Sequence, residues 1–335
     1  MASLFNAKHF NGEVVALAVE NIKSSLNLKI IPFLKRRRDN DIASRMPDQK
    51  GGNFGTIIVH GNLDGASDNY DGVTDITTSG LTNYEQGVIA IGRAHSWEEE
   101  DFQTSIAGYS EMDAQIYQLA EYQERQVKNA FKAILPALFD DTNGCLKSKK
   151  VKETSVKEEG LIDLLVASAG DQAGQFDIVC MDSYVAGELA KKNLLAYGKY
   201  VVNGIERQDP TVGYWAGKFV IIDDAFGTNS NASASVHNVY AFAPNSWRYA
   251  DLPVKTPFEL TRQALTHGGV DIVVERQRFI LAPEFVSFTK ASMAKLSPTD
   301  LELANPLNYA VVKDGNNNPV EMKVIPFACL EITLA

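Results

Sequence analysis

Two adjacent carboxylates close the apolar run 218–224, KFVIIDD, where a strand of a nucleotide hydrolase presents its metal-binding acid. That chemistry also needs a phosphate-cradling loop. The nearest segment, Gly213 to Lys218, has three residues between its glycines instead of four, and Phe219 stands where a Ser or Thr would hold magnesium. A strand end feeding a turn accounts better for Asp223 and Asp224. His95 with Glu98, Glu99, Glu100 and Asp101 has the residue types of a metal cluster, but acids in a first helical turn are already explained by the helix dipole. Asp64, Asp68, Asp71 and Asp75 share one polar stretch without the alternate spacing and closing Glu of a calcium loop. There is no G-x-S-x-G, H-E-x-x-H or G-x-G-x-x-G, and the five histidines are scattered, so no nucleophile with an evident base can be assembled. No catalytic residue, cofactor or metal site is expected. A metal-dependent hydrolase using Asp223 and Asp224 stands as the alternative from a different functional class.

The chain that would carry such groups has 335 residues, 45% hydrophobic and 22% charged, which is ordinary globular composition with room for two or three domains. Cys145, Cys180 and Cys329 are far apart and form no C-x-x-C, against a disulfide framework or zinc ribbon. No stretch is long and apolar enough to span a membrane, and the start lacks the apolar core of a signal peptide. The formal net charge is −10. The first 50 residues are basic, centred on Lys35, Arg36, Arg37 and Arg38, so the remainder is more acidic than the whole and repels phosphate. Sequence-specific nucleic-acid binding is not expected.

Apolar spacing predicts a short helix over 11–27, then the extended run LKIIPF. Residues 51–92 hold nine glycines, five acids and no Lys or Arg between FGTIIVHG and QGVIAIG, the pattern of a long two-stranded hairpin with a polar tip at 62–85. Ser96-Trp97-Glu98-Glu99 has the form of a capping box and predicts a short helix ended by Gly108. A second start at Ser110 opens a long helix with Met112, Ile116, Leu119, Val127, Phe131 and Ile134 on one face, ended or kinked at Pro136. After the Lys-rich stretch 140–157, an α/β unit is expected to about residue 251. It comprises a helix near 161–167, the strand FDIVCMD, a helix capped at Asp182 or Ser183, and the strands KFVIIDD and VHNVYAFA. Ser297 to Asp300 caps another short helix, and 306–335 reads as a last hairpin turning at Asp314-Gly315-Asn316.

The segment 258–281 reads as a hairpin with Gly268 and Gly269 as the two central turn residues. That register faces Leu265 with Ile272, Arg262 with Glu275, Glu259 with Arg278, and Phe258 with Phe279.

This segment order resembles the major capsid protein family of tailed bacteriophages over the whole chain. The likeness is most specific in GKFVIIDDAF (217–226) and FELTRQALTHGGVDIVVERQRFILAP (258–283), and VCMDSYVAGELAKKNLL (179–195) is also similar. The resemblance implies the α+β capsid fold of the Hong Kong 97 type. Its parts would be an N-terminal arm (1–50), an extended loop (51–95), a peripheral domain (96–150 with 252–300) built on the long spine helix, and an axial domain (151–251). The docking of 301–335 is left open. The implied function is structural: hexamers and pentamers close an icosahedral shell around phage DNA, held without sequence-specific binding and without a membrane. The implied assembly contacts are Lys35, Arg36, Arg37 and Arg38 of the arm and Asp64, Asp68, Tyr70 and Asp71 of the loop, with Glu259, Arg262, Glu275 and Arg278 as structural pairs. Expected partners are other copies of the chain, a separate scaffolding protein, a portal and a decoration protein. The expected location is the virion, after assembly in the cytoplasm of a bacterial host. Encapsulin nanocompartments share this fold family and are the second alternative. Some family members join the extended loop to a neighbour by a Lys–Asn isopeptide bond, which residues 51–92 cannot supply because they contain no Lys.

Overall fold

A computed structural model of the chain describes residues 37–38, 53–61, 67–73, 75–78, 80–101, 115–202, 205–224, 226, 228–229, 235–244 and 246–334. The expected helix at 11–27, Lys35, Arg36, Asp64, Gly108, Ser110 and Met112 lie outside these residues, as do the side chains of Arg37, Arg38 and Ile116.

In chain order the elements begin with β1 (Arg37–Arg38), β2 (Phe54–His60), β3 (Asn83–Glu100) and α1 (Gln115–Leu138). There follow β4 (Lys150–Glu153), α2 (Gly160–Ala169), β5 (Ile178–Met181), α3 (Ser183–Lys191), β6 (Leu195–Val202), β7 (Ile205–Trp215) and β8 (Lys218–Ile222). The rest are β9 (Thr228–Asn229), β10 (Ser235–Phe242), β11 (Trp247–Leu252), β12 (Phe258–Gln263), β13 (Val270–Pro283), β14 (Val286–Phe288), α4 (Asp300–Leu303), β15 (Tyr309–Val311) and β16 (Phe327–Leu334).

Two sheets organise the molecule. The first runs β1-β11-β13-β3-β2, with β12 also on β13; the second runs β4-β16-β10-β5-β8-β7-β6, with β9 on β10. One side of the second sheet (Val179, Met181, Val220, Val239, Ala241, Leu330) packs on α2 and α3 through Leu161, Leu164, Leu165, Val185 and Leu189. The alternate residues on the same strands, Ile178, Cys180, Ile221, Tyr240, Phe242 and Cys329, face α1. The same cluster takes in Ile89, Ile91, Phe279 and Leu281 of the first sheet, so one helix closes a core shared by both sheets. Phe131 sits where they meet, with ring centroids 4.4 Å from Trp247, 5.2 Å from Phe226 and 6.0 Å from Phe242.

The buried face expected for α1 is present: Leu119, Val127, Phe131 and Ile134 are all at most 4% exposed. Pro136 does not end the helix, which continues to Leu138; its missing N–H leaves the Lys132 carbonyl without its helical donor, a cost that the burial of Ala137 and Leu138 in the core offsets. The helix near 161–167 appears as α2, followed by Gly170 at φ +57°. The helix capped at Asp182 appears as α3, whose Val185 N–H donates to the Asp182 carboxylate at 2.9 Å. Within the capping segment 297–300, Thr299 carries the cap of α4, in a reciprocal box with Glu302.

Four sequence expectations are corrected. Ser96-Trp97-Glu98-Glu99 starts no helix; it lies inside β3, which pairs with β13 from Ala90↔Ile280 to Glu100↔Val270. Trp97 and His95 pack on Tyr122 of α1 at 5.0 and 5.7 Å, so cross-strand pairing and aromatic contact outweigh the local cap. The final segment is not a hairpin on itself. The chain does turn at 313–319, but Phe327–Leu334 enters the second sheet between β4 and β10, while Tyr309–Val311 pairs with β14. Trp247–Leu252 belongs to the first sheet, antiparallel to β13, and not to the unit formed by the preceding strands.

The fourth correction is the register of 258–281. Phe258 faces Glu275, Glu259 faces Val274, Thr261 faces Ile272 and Arg262 faces Asp271, four residues away from the expected pairing, with 264–269 as the connection. The end of β3 decides this. Arg262 binds Asp101 and reaches Asp271 at 2.9 Å, while the Asp101 N–H donates to the Gly269 carbonyl at 3.0 Å. His267, Gly268 and Gly269 all take positive φ, and a Cβ on Gly269 would strike the Asp101 carboxylate. A four-residue shift leaves every side chain on its expected face, so the polar row survives with new partners.

Candidate assembly surfaces

The acids that invited a catalytic reading are engaged in holding the fold. Asp223 forms an ion pair with Lys128 of α1, and Asp224 accepts from the Ser183 N–H at 2.8 Å at the start of α3. The Ser183 hydrogen bonds hold the Asp224 carboxyl below the usual range. Among the described residues, no group of three or more His, Cys, Asp or Glu is arranged to hold a metal ion. Asp182 caps α3 and also meets the buried His237 ring, on which Tyr184 stacks at 4.9 Å.

The expected pairs of the 258–281 segment are redistributed. Arg262 is shared by Asp101 and Asp271, and Glu259 pairs with Arg276 at 2.8 Å. Glu275 is fully buried and accepts from the Gln123 amide of α1 at 2.6 Å. Arg278 donates to the Asn53 side chain at 2.8 Å, at the foot of the extended hairpin. None of these four residues pairs as expected with another of the four; each is turned to a different neighbour.

The hairpin itself forms as the sequence indicates, with β2 antiparallel to β3 from Phe54↔Ile89 to His60↔Asn83. Six residue steps along that pairing carry the tip about 20 Å from the foot. The ladder stays on the body to its far end, with Val59 4% exposed and Gln86 fully buried and donating to the Pro283 and Val286 carbonyls, and side chains are bare only beyond it. Val88 and Ala90 meet Ala250, Leu252, Ile280 and Ala282 near the foot. Tyr70, Val73 and Ile76 toward the tip are 90%, 89% and 70% exposed. Three large apolar side chains spaced by three thus stand bare in a stretch without a single Lys or Arg. Asp68 accepts from both the N–H and the hydroxyl of Thr77 at 2.6 Å, which lowers its pKa and ties the two sides of the tip together. Asp71 accepts from the Val73 N–H at 2.9 Å. Of the expected loop contacts, Asp68, Tyr70 and Asp71 thus stand on one braced projection.

The arm is described at Arg37 and Arg38, whose backbone forms a short parallel pairing with Arg248 and Tyr249 at the edge of the first sheet.

A second surface was not marked by sequence reasoning. Beside the hairpin foot, Leu296 and Leu301 are 81% and 86% exposed. The Asn53 amide donates to the Leu296 carbonyl at 3.0 Å, and Lys290 lies 4.2 Å from the Phe54 ring centroid. The sequence signal is faint: apolar residues scattered among Lys, Ser and Pro.

No protein-family model matches the chain. It is 26% identical over 295 residues to the major capsid protein of Bacillus phage SPP1, covering 86% of this chain and 87% of that one. Among solved structures, the capsid of Helicobacter pylori bacteriophage KHP30 aligns with TM-score 0.52 at 11% identity over 83% of each chain. The head structure of Helicobacter pylori bacteriophage KHP40 aligns with TM-score 0.52 at 10% identity over 84% of each.

Proposed function

We propose, for a chain that belongs to the major capsid protein family of tailed bacteriophages, that its extended hairpin, basic arm and domain division together serve to close a shell from many copies. The chain is a structural capsid subunit and a component of a virion. The observation that carries the rest is the hairpin, whose ladder of about 20 Å packs on the body as far as Val59 and Tyr84 and whose tip beyond it carries bare apolar side chains. A subunit that must contact different surfaces on different neighbours needs reach of this kind, because such contacts are heterologous and close only when copies surround one another.

In this reading, hexamers and pentamers of the chain form an icosahedral shell around DNA in the cytoplasm of a bacterial host. A separate scaffolding protein guides closure, a portal occupies one vertex and a decoration protein covers the hairpin tip. The two sheets support a division into arm, loop, peripheral and axial domains in which Trp247–Leu252 goes with the first sheet and the last strand with the axial one. The arm residues Lys35 to Arg38 meet acidic neighbours, since the rest of the chain carries the whole excess of negative charge. The DNA is enclosed and not read, because an acidic body disfavours phosphate. Neither alternative has a comparable support: the acids of the hydrolase reading bind Lys128 and cap α3.

Sedimentation of the purified protein, alone and co-expressed with its neighbouring gene products, tests this reading. Fast-sedimenting particles that contain the chain as their main component are expected. A species that stays a single chain at high concentration, in low and high salt and with every neighbouring product present, contradicts it.

A further inference from the structure

One side of α2 is buried in the core and the other is bare. Leu161, Leu164 and Leu165 are at most 5% exposed, whereas Ile162 and Val166, four residues apart on the outer side, are 53% and 55% exposed. Glu159, the residue before the helix, and Asp163 share that outer stripe by helical spacing and are exposed. Residues 158–175 hold four acids and no Lys, Arg or His. The cations at the two ends of this stretch are engaged: Lys157 pairs with Glu153 and Lys323 with Asp171, each at 3.6 Å. An apolar ridge edged by acids repels phosphate and suits a segment that is both apolar and basic.

A segment of that chemistry lies in the arm. Residues 21–38 hold six basic residues and no acid, and Leu26, Leu28 and Ile30 alternate, so an extended backbone would put all three on one side. Direction and reach fit as well. Arg37 and Arg38 pair in parallel with Arg248 and Tyr249, and the polarity of that pairing directs the residues before Arg37 back past Trp247 toward Ala243. The Ala243 N–H donates to the Pro326 carbonyl at 3.2 Å. The short turn at 322–324, just ahead of Pro326, packs beside α2, and Gln175 donates to its Lys323 carbonyl at 3.0 Å. The steps from Trp247 to Ala243 and from Pro326 to Met322 are four residues each, at most about 14 Å apiece, whereas residues 26–36 extended span about 36 Å.

We propose that residues 23–31 of the arm lie on the outer face of α2 in the same chain. Leu26, Leu28 and Ile30 cover Ile162 and Val166, and Lys23 and Lys29 stand beside Glu159 and Asp163, an apolar centre with a charged rim. The contact anchors the arm at a second point besides the Arg37–Arg38 pairing, so that the basic tract Lys35 to Arg38 emerges between α2 and the edge of the first sheet. It is made within one chain and stands or falls apart from the shell reading above.

Two measurements on the full chain, as dilute unassembled subunits, test it. In the first, Leu28→Cys and Val166→Cys are combined and treated with a short bismaleimide, with each single variant as the control for the native cysteines. A crosslink between positions 28 and 166 within one chain is expected, located by mass spectrometry. No such crosslink, or one found only between chains, which would assign the face to a second copy, overturns the proposal. In the second, trypsin cleavage after Lys29 reports whether the arm is seated. Ile162→Ser combined with Val166→Ser strips the apolar centre and is expected to speed that cleavage about tenfold with an unchanged circular dichroism spectrum. Cleavage at the parent rate in the folded variant overturns the contact, and the crosslink decides alone if the variant does not fold. Failure of the chain to form particles bears on the shell reading and leaves both measurements as they are.

Discussion

Lys128, in the middle of α1, forms an ion pair with Asp223 at the end of β8, joining the long helix to the second sheet. Both side chains are about three-quarters buried, so the pair is shielded from salt more than a surface bridge. Lys128 also stands 6.0 Å from the Phe226 ring centroid, and Phe226 packs on Phe131. The second acid, Asp224, faces the other way and holds the start of α3. The acidic pair is thereby a junction between three elements.

Lys128→Ala is expected to destabilise the chain by about 1 to 2 kcal/mol, between the cost of an exposed pair and that of a fully buried one. Chemical denaturation of the unassembled protein measures it. A change below a few tenths of a kcal/mol would show that the junction is held by packing alone.

Phe131→Ala removes the ring that touches Trp247, Phe226 and Phe242 at once and is expected to cost about 3 to 5 kcal/mol. A near-neutral shift in the melting midpoint would show that the shared core lies elsewhere.

Lys149 is 2% exposed, donates to the Ile325 carbonyl, and lies 5.8 Å from the Phe176 ring centroid. Burial lowers its pKa to about 8. Below that pH the ammonium is charged in both folded and unfolded chains, and the fold bears the full desolvation cost. Between about 8 and the ordinary lysine value the unfolded chain holds the extra proton, so stability rises with pH. Lys149→Met is accordingly expected to stabilise the protein by about 1 to 3 kcal/mol at pH 7. That advantage should shrink to nothing by about pH 10.5. A gain that is constant across this range would rule out desolvation of the ammonium as its source.

Mature particles are expected to dissociate to single chains in hot reducing denaturant, since the hairpin carries no Lys for an isopeptide bond. Multimer ladders on a reducing gel would refute this. Disulfides do not enter, because Cys145, Cys180 and Cys329 are free and burial raises all three thiol pKa values.

What could be read from the sequence was local. The Gly-rich hairpin, the face of α1 and the Asp182 cap each follow from spacing within one segment. The pairing of Phe327–Leu334 between β4 and β10 did not, because its partners are far away in the chain. The Gly268-Gly269 register failed for the same reason: Asp101, on a third strand, sets the loop. One local signal was missed. Asn203-Gly204 between Val202 and Ile205 is the dipeptide of a two-residue hairpin, and β6 pairs with β7 with Val202 facing Ile205. Of the candidate surfaces, the loop tip was marked by its charge, whereas the patch at Leu296 and Leu301 exists only once Asn53, Phe54 and Arg93 are folded against it.

Reversing Lys35, Arg36, Arg37 and Arg38 to Glu is expected to block assembly while leaving the folded monomer intact by circular dichroism. Normal particle yield from that variant would make the tract a solvated face.

The central claim, that this chain closes into a shell, is tested most directly by electron microscopy of the purified protein co-expressed with its neighbouring gene products. The expected result is uniform closed particles whose reconstruction shows five-fold and six-fold rings of this chain, each hairpin lying across an adjacent subunit. Fields containing only dispersed single subunits under all those conditions, or a reconstruction in which the hairpin touches no neighbour, would contradict it.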